Sequence, residues 1–367
     1  MSNDDSDPIS QAFKSATKIL EHKKSWQKFR YQCEPWHELL PLTHSNAFYG
    51  ENSQIIDLIA KMIEFIQEPN SQDFLFLKGP TGSGKTIFAH IFEQYSQQLS
   101  LSISYQDASK PKQVDPLITQ ADSEDVIFLD NAFHSRNSLT STLNSASSSN
   151  SPKIIALMKS SEFEIYRRQC IQTGDKNYKN FYSMPHYSTL DIIDLLNKRL
   201  IICFGEDRIP PPLEGVTDQI AELAFGNVGF AIDILKQILL DSRSLVKIRL
   251  SYGINFQALE DFSPSKSQIL REILIRETEN EFLPPDDQKY IIHKVLTNLL
   301  NKTKSTISHH LSDLLTSNLI YEQSTTRDRR EKAYRPHKGI FGILEYLAFE
   351  SSAEDAHIIL DGTYYEI

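Results

Sequence analysis

The sequence predicts an α/β protein: a parallel-sheet core, an all-helical segment after it, and a C-terminal helix-turn-helix that ends in a β-hairpin. Three observations carry this. First, short apolar runs at Phe74-Leu75-Phe76-Leu77, Val126-Ile127-Phe128-Leu129 and Lys153 to Met158 read as strands buried on both faces, as parallel sheets require. Second, helical periodicity replaces strand runs after about Met184. Third, near the C-terminus two helical stretches joined by a short turn precede two β-rich runs that flank a basic tip.

The 367 residues exceed one ordinary core and suit two or three domains. A hydrophobic fraction of 40% and a charged fraction of 23% are those of a globular chain that can bury a core without staples. Cys33, Cys170 and Cys203 lie too far apart for a disulfide framework or a metal knuckle, so a reducing, cytoplasmic setting is expected. The acidic, polar start and the lack of any run of about 18 apolar residues point away from secretion and from a membrane. The net charge of −10 hides a local excess. From Asn298 to Gly339 there are eight Lys or Arg against four acids, a basic island in an acidic chain.

Residues 1–45 read as an N-terminal extension, helical from Ile9 to Tyr31. The core spans 46–183. Ile55, Ile56, Ile59, Ile63 and Ile66 predict a helix from Ser53 to Gln67, and another runs from Lys85 to about Gln98. Ser135 to Pro152 is rich in Ser and Asn, and its end, Ser145 to Pro152, has the composition of a flexible loop. A helical lid follows at 184–260, with helices at Leu190–Ile202, Val216–Phe225 and Gly229–Leu240. The last folded unit covers 264–350, with helices near Lys266–Glu277 and Gln288–Leu300, and 351–367 is a tail.

The first strand leads into Gly79-Pro80-Thr81-Gly82-Ser83-Gly84-Lys85-Thr86, and a helix follows. This is the spacing and the context of a phosphate-binding loop. Glycines let the backbone N–H groups curl toward phosphate oxygens, and the following helix adds its positive end. The ligand expected is ATP with Mg²⁺: Lys85 reaches the β- and γ-phosphates, and the Thr86 hydroxyl joins the metal shell. Asp130, which ends the second buried strand, is the expected second metal partner. The next residue, Asn131, stands where many such ATPases carry a glutamate. An amide orients water but accepts no proton, so general-base help of about 10²–10⁴-fold is absent there. Slow hydrolysis, or binding without turnover, follows.

Together these features resemble the AAA+ ATPases, and within them the origin-recognition and helicase-loader family of replication initiators, over roughly residues 46 to 340. Phe48 and Gly50 match that family's box near the adenine, and Met184-Pro185-His186-Tyr187-Ser188 is similar to the segment that opens its lid, ending in Arg199. The resemblance implies a first sensor at Lys159 or Ser160, with Ser160 preferred, and an arginine finger at Arg167 or Arg168. An arginine pair equally suits a solvated helix face. It also implies assembly into homo-oligomers, or hetero-oligomers with other ATPase subunits. The lid turn Gly226-Asn227-Val228-Gly229 has glycine where the family carries an arginine, so that contact with the γ-phosphate is missing. Signal-transduction ATPases have a similar core, and Gly229 departs from their lid motif too.

In Lys304 to Leu315, apolar residues at 307, 311, 314 and 315 define one face, and Lys304, Ser305, Ser308, His309 and Ser312 the other. Short hydrogen bonders and basic groups are what a helix entering the DNA major groove presents. Ser305 or Thr306 is placed to cap it. The hairpin tip, Thr325 to Lys332, carries Arg327, Arg329, Arg330 and Lys332. The combination resembles a MarR-type winged helix-turn-helix, in which a wing arginine, here Arg329 or Arg330, enters the minor groove. The reading at this level is an ATP-switched protein that binds duplex DNA. The alternatives are an adaptor ATPase of a transposition or defence assembly and a signal-transduction ATPase regulating transcription.

Overall fold

The computed structural model describes residues 34–36, 52–68, 74–109, 125–135, 152–204, 215–241, 255, 257–260, 262–324 and 332–351. The expected N-terminal helix, the Phe48–Gly50 box, most of the Ser/Asn loop, the wing arginines 327, 329 and 330, and the tail lie outside them.

The expected α/β core is present as a five-stranded parallel sheet in the order β2-β3-β4-β1-β5. After helix α1 (Ser53–Gln67) come β1 (Phe74–Gly79), α2 (Lys85–Gln94), the short α3 (Ser96–Leu99), β2 (Ile103–Asp107), β3 (Val126–Asp130), β4 (Lys153–Lys159), α4 (Ser160–Thr173) and β5 (Phe181–Ser183). Asn52 caps α1 through Oδ1, which accepts from the N–H of Gln54 at 2.9 Å and of Ile55 at 3.1 Å. The central strands are buried almost throughout because each has a strand on both sides and helices on both faces. The sequence does not announce β2 and β5. They are the sheet's two edges: in β2 only Ile103 is buried, and β5 is three half-buried residues long. The helix expected to reach Gln98 breaks at Tyr95.

The chain divides into two compact units. One holds the helices between Tyr187 and Tyr252: α5 (Thr189–Phe204), α6 (Val216–Ala224) and α7 (Val228–Asp241). Ile192, Leu195, Leu196 and Leu200 form the apolar face of α5. Arg199 is buried beside them and donates to the Pro35 carbonyl at 3.0 Å, and burial lowers its guanidinium to about 10. Asn227 caps α7, accepting from the Phe230 N–H at 2.9 Å, and Gly229 lies in the first turn.

The sheet's unit also contains the C-terminal elements. These are α8 (Gln257–Glu260), α9 (Pro264–Glu281), α10 (His293–Leu300), α11 (Lys304–Thr316), the antiparallel pair β6 (Ile320–Ser324) and β7 (Lys332–Pro336), and α12 (Phe341–Glu345), which runs on as a π-helical turn over Tyr346–Glu350. The helix expected from Gln288 begins only at His293, because Ile292 is extended and bridges Ala333 beside the hairpin. The cap of α11 is Thr303 rather than Ser305 or Thr306: its hydroxyl accepts from the Thr306 N–H at 3.2 Å. No described helix is long and apolar enough to cross a membrane.

Thr303→Ala is therefore expected to lower stability by about 1 kcal/mol, the usual worth of an N-cap. Ser305→Ala, one residue into the exposed side of the helix, is expected to cost less than about 0.5 kcal/mol. Denaturant midpoints of the two variants check this.

Candidate functional site

The carboxyl end of the sheet gathers the chemistry. Because all five strands are parallel, Gly79, Asp107, Asp130 and Lys159 end their strands on the same side, with Gly79 level with Lys159 and Asp107 level with Asp130. The loop after β1 takes a shape that its glycines permit. Gly84 has φ 91°, a left-handed conformation that other residues rarely adopt. A Cβ on Gly79 would lie 2.8 Å from the Cβ of Met184, so the close approach of the segment after β5 requires glycine. The Lys85 ammonium turns back onto the loop, donating to the carbonyls of Gly79 at 2.8 Å and Pro80 at 3.0 Å. Burial pushes this ammonium down, against the charges of Glu345 and Asp130 that favour it.

Thr86 and Asp130 meet: Thr86 Oγ1 donates to Asp130 Oδ2 at 2.6 Å. The same oxygen accepts from the Tyr105 hydroxyl at 2.8 Å. Burial, followed by the negative charge of Asp130, pushes the Tyr105 phenol upward, so it stays a donor. Two oxygens from a hydroxyl and a carboxylate at this spacing are the donor set a hard divalent cation takes. Asn131 adopts φ 51°, and its Nδ2 donates to Asp107 Oδ1 at 2.9 Å. Its amide is thus tied to the neighbouring strand, and its carbonyl oxygen remains the group that can accept from water.

A second cluster, which sequence reasoning missed, sits beside the loop. Glu345 of α12 has no exposed surface. Its Oε2 accepts from the Thr81 N–H at 2.6 Å and the Thr81 hydroxyl at 2.7 Å. Its Oε1 accepts from the Ser161 N–H at 3.2 Å and the Ser161 hydroxyl at 2.7 Å. Burial pushes the carboxyl up, and these donors oppose it. Ser160 donates its hydroxyl to Glu350 Oε1 at 2.8 Å, and the Lys159 ammonium lies 3.3 Å from Glu281. The readable signal was an acid inside the apolar run Ile343-Leu344-Glu345-Tyr346-Leu347.

Arg167 and Arg168 are engaged within the chain. Both donate to Glu164, and Arg168 also holds Glu272 of α9 with two bonds, at 2.6 and 3.0 Å. On α11, Ile307, Leu311 and Leu314 are buried while Lys304, Ser305, Ser308, His309 and Ser312 are exposed. Several cations of the basic island meet acids: Arg335 makes two bonds to the buried Glu277, and Lys332 pairs with Glu322.

No protein-family model and no curated protein sequence matches the chain. Among solved structures it is similar to the ORC2 protein of Aeropyrum pernix with ADPNP and ADP, at 15% identity and TM-score 0.40, over 80% of this chain and 92% of that one. A singly substituted RuvB of Thermotoga maritima gives 15% identity and TM-score 0.40 over 78% and 92% of the two chains. AMPPCP-bound DnaA from Aquifex aeolicus gives 15% and 0.38 over 82% and 94%.

The arginine pair makes stability pH-dependent. Glu164 is pushed up by burial, but hydrogen bonds and charge from Arg167 and Arg168 outweigh this and hold it below its ordinary 4.5. A depressed carboxylate stabilises the fold above its unfolded value, and the contribution is lost as pH falls through the folded one. The difference in thermal midpoint between the wild type and Glu164→Gln should thus be constant above about pH 5 and shrink as pH falls below it.

Proposed function

We propose that this chain is an ATP-switched DNA-binding protein of the replication-initiator type, one that binds ATP·Mg²⁺ and turns it over slowly. The observation that carries the reading is the 2.6 Å bond between Thr86 and Asp130 beside a glycine-shaped phosphate loop. In the bound state the loop N–H groups hold the phosphates, Lys85 balances their charge, and Thr86 and Asp130 hold the cation. The cation neutralises charge on the phosphate oxygens. Asn131, fixed to Asp107, orients water without removing its proton, so turnover lacks a general base from that position. Ser160 is the sensor residue of this reading, and Arg167 or Arg168 its arginine finger. Assembly with further ATPase subunits is part of it.

In the DNA-bound state α11 lies in the major groove as the recognition helix of a winged helix-turn-helix, with Lys304, Ser305, Ser308, His309 and Ser312 toward the bases. Arg327, Arg329, Arg330 and Lys332 form the wing. Affinity then rests largely on phosphate contacts.

Lys85→Ala is expected to weaken ATP binding by about 10–100-fold, the worth of a charge-assisted bond, in equilibrium titration with a fluorescent nucleotide. Wild-type phosphate release should be slow, and lost in Asp130→Ala; rapid release would contradict the role given to Asn131. Replacing Arg329 and Arg330 together with alanine should reduce the slope of log affinity against log salt for duplex DNA by about 2, at about 0.9 per phosphate contact. Duplex binding that is indifferent to salt, or to ATP, would sink the reading.

A further inference from the structure

We infer that Glu345 is a built-in competitor for the terminal phosphate, making the site discriminate nucleoside triphosphate from diphosphate and tying that choice to the C-terminal helices. The inference rests on the nucleotide-binding reading above and adds a specificity residue to it.

The donors around Glu345 are not a random set. Thr81 is the third residue of the phosphate loop, and Ser161 lies in the first turn after β4, the strand beside the loop's own. A loop of this kind aims its N–H and hydroxyl groups at phosphate oxygens. Here a carboxylate, also a paired-oxygen anion that only accepts, takes the Thr81 N–H and hydroxyl at 2.6 and 2.7 Å. Thr278 of α9 supports the arrangement, donating to the Ser161 hydroxyl at 2.9 Å. A buried anion survives only where it is paired or fully hydrogen-bonded, and this one collects its donors from the nucleotide site.

A terminal phosphate that reached Thr81 would meet that carboxylate, and two anions cannot share those donors. One must leave. The Glu345 side chain has no exposed surface and so no open space to turn into, and its helix is fastened on both sides. Glu350 accepts from Ser160 at 2.8 Å, with the Lys78 ammonium 3.5 Å away, and Tyr346 stacks on His186 with ring centres 3.8 Å apart. Toward α9, the Ser267 hydroxyl donates to the Leu347 carbonyl at 2.9 Å, and Arg271 Nε to that of Ala348 at 3.0 Å. A triphosphate therefore displaces residues 341–350 together and loosens their hold on α9. A diphosphate, lacking the outer group, leaves Glu345 in place.

The test is equilibrium binding of fluorescent ATP and ADP, with Mg²⁺, to the full chain as wild type, Glu345→Gln and Ser161→Ala, together with hydrogen exchange over 341–350. Glu345→Gln keeps the shape and removes the charge. It should raise the ratio of ATP to ADP affinity about tenfold, the scale of a lost charge contribution, with ADP binding changed less than about twofold. Ser161→Ala should move the ratio the same way by less. In the wild type, ATP but not ADP should speed exchange over 341–350. A purely structural role for Glu345 would change both affinities together and leave the ratio alone. An unchanged ratio in a folded Glu345→Gln, with ATP still bound, overturns this inference and leaves nucleotide binding standing. If that variant does not fold, an unchanged ratio in Ser161→Ala overturns it instead. Absence of any nucleotide binding by all three proteins removes the underlying reading and this inference with it.

Discussion

The burial of β1 between two parallel neighbours organises everything else. Leu75, Phe76 and Leu77 have no exposed surface, and a strand buried on both faces must have partners on both edges and helices above and below. β4 and β5 supply the edges, in parallel register, and parallel register puts every strand's carboxyl end on one side. The loop after Gly79, the aspartate ending β3 and the serines following β4 then converge without any further instruction. Convergence is also what makes Gly79 irreplaceable: Met184, from the segment after β5, packs against it, and the Met184 N–H donates to the Lys78 carbonyl at 2.8 Å.

Gathering polar ends at the rim of an apolar sheet creates an electrostatic problem. Lys85, Asp130 and Glu345 lie close together with little water to screen them, and a buried charge without a partner is costly. The chain solves it with neutral donors more than with ion pairs. Asp130 is held by the hydroxyls of Thr86 and Tyr105 and by the Asn131 N–H, and Glu345 by Thr81 and Ser161. Hydroxyls rotate, so the same groups can turn to serve a different anion or a cation. An arginine in their place would fix the site in one state, because its fork geometry and permanent charge prefer one carboxylate partner.

How much of this could be read from the chain depended on whether the signal was local. The phosphate loop, Asp130 and the buried strands are contiguous patterns, and the periodicity over Ser53–Gln67 bounds that helix correctly. The edge strands were hidden because their burial comes from only part of each strand, so Ser104, Tyr105 and Gln106 show no apolar run. Tyr105 and Asp107 therefore escaped notice, although the parallel register with β3 places Asp107 directly beside Asp130. The pairing of Glu345 with the loop was hidden for a stronger reason: 264 residues separate it from Thr81, and no spacing rule links them. The start of α10 was misplaced because Ile292, which looks helical in sequence, is committed to Ala333 of the hairpin.

The basic island shows the same lesson in charge. Counted within Asn298–Gly339, cations outnumber acids two to one, and the segment reads as ready for a polyanion. The fold brings Glu277 from α9 into that set, where it accepts two bonds from Arg335 and lies 3.7 Å from Lys338. Burial, which leaves Glu277 4% exposed, means that it cannot give up Arg335 cheaply. Arg335 is therefore a fastener between hairpin and helix, and burial and pairing draw its charge inward rather than presenting it to solvent. Lys332, by contrast, faces Glu322 at the surface, where an ion pair is worth little and is readily exchanged for a phosphate. Among the described residues, free positive charge at the surface is thus smaller than a count along the chain gives, and Lys304, in the first turn of α11, is the example that stays exposed. A local excess of charge becomes a binding surface only after the buried acids from elsewhere in the chain have taken their share.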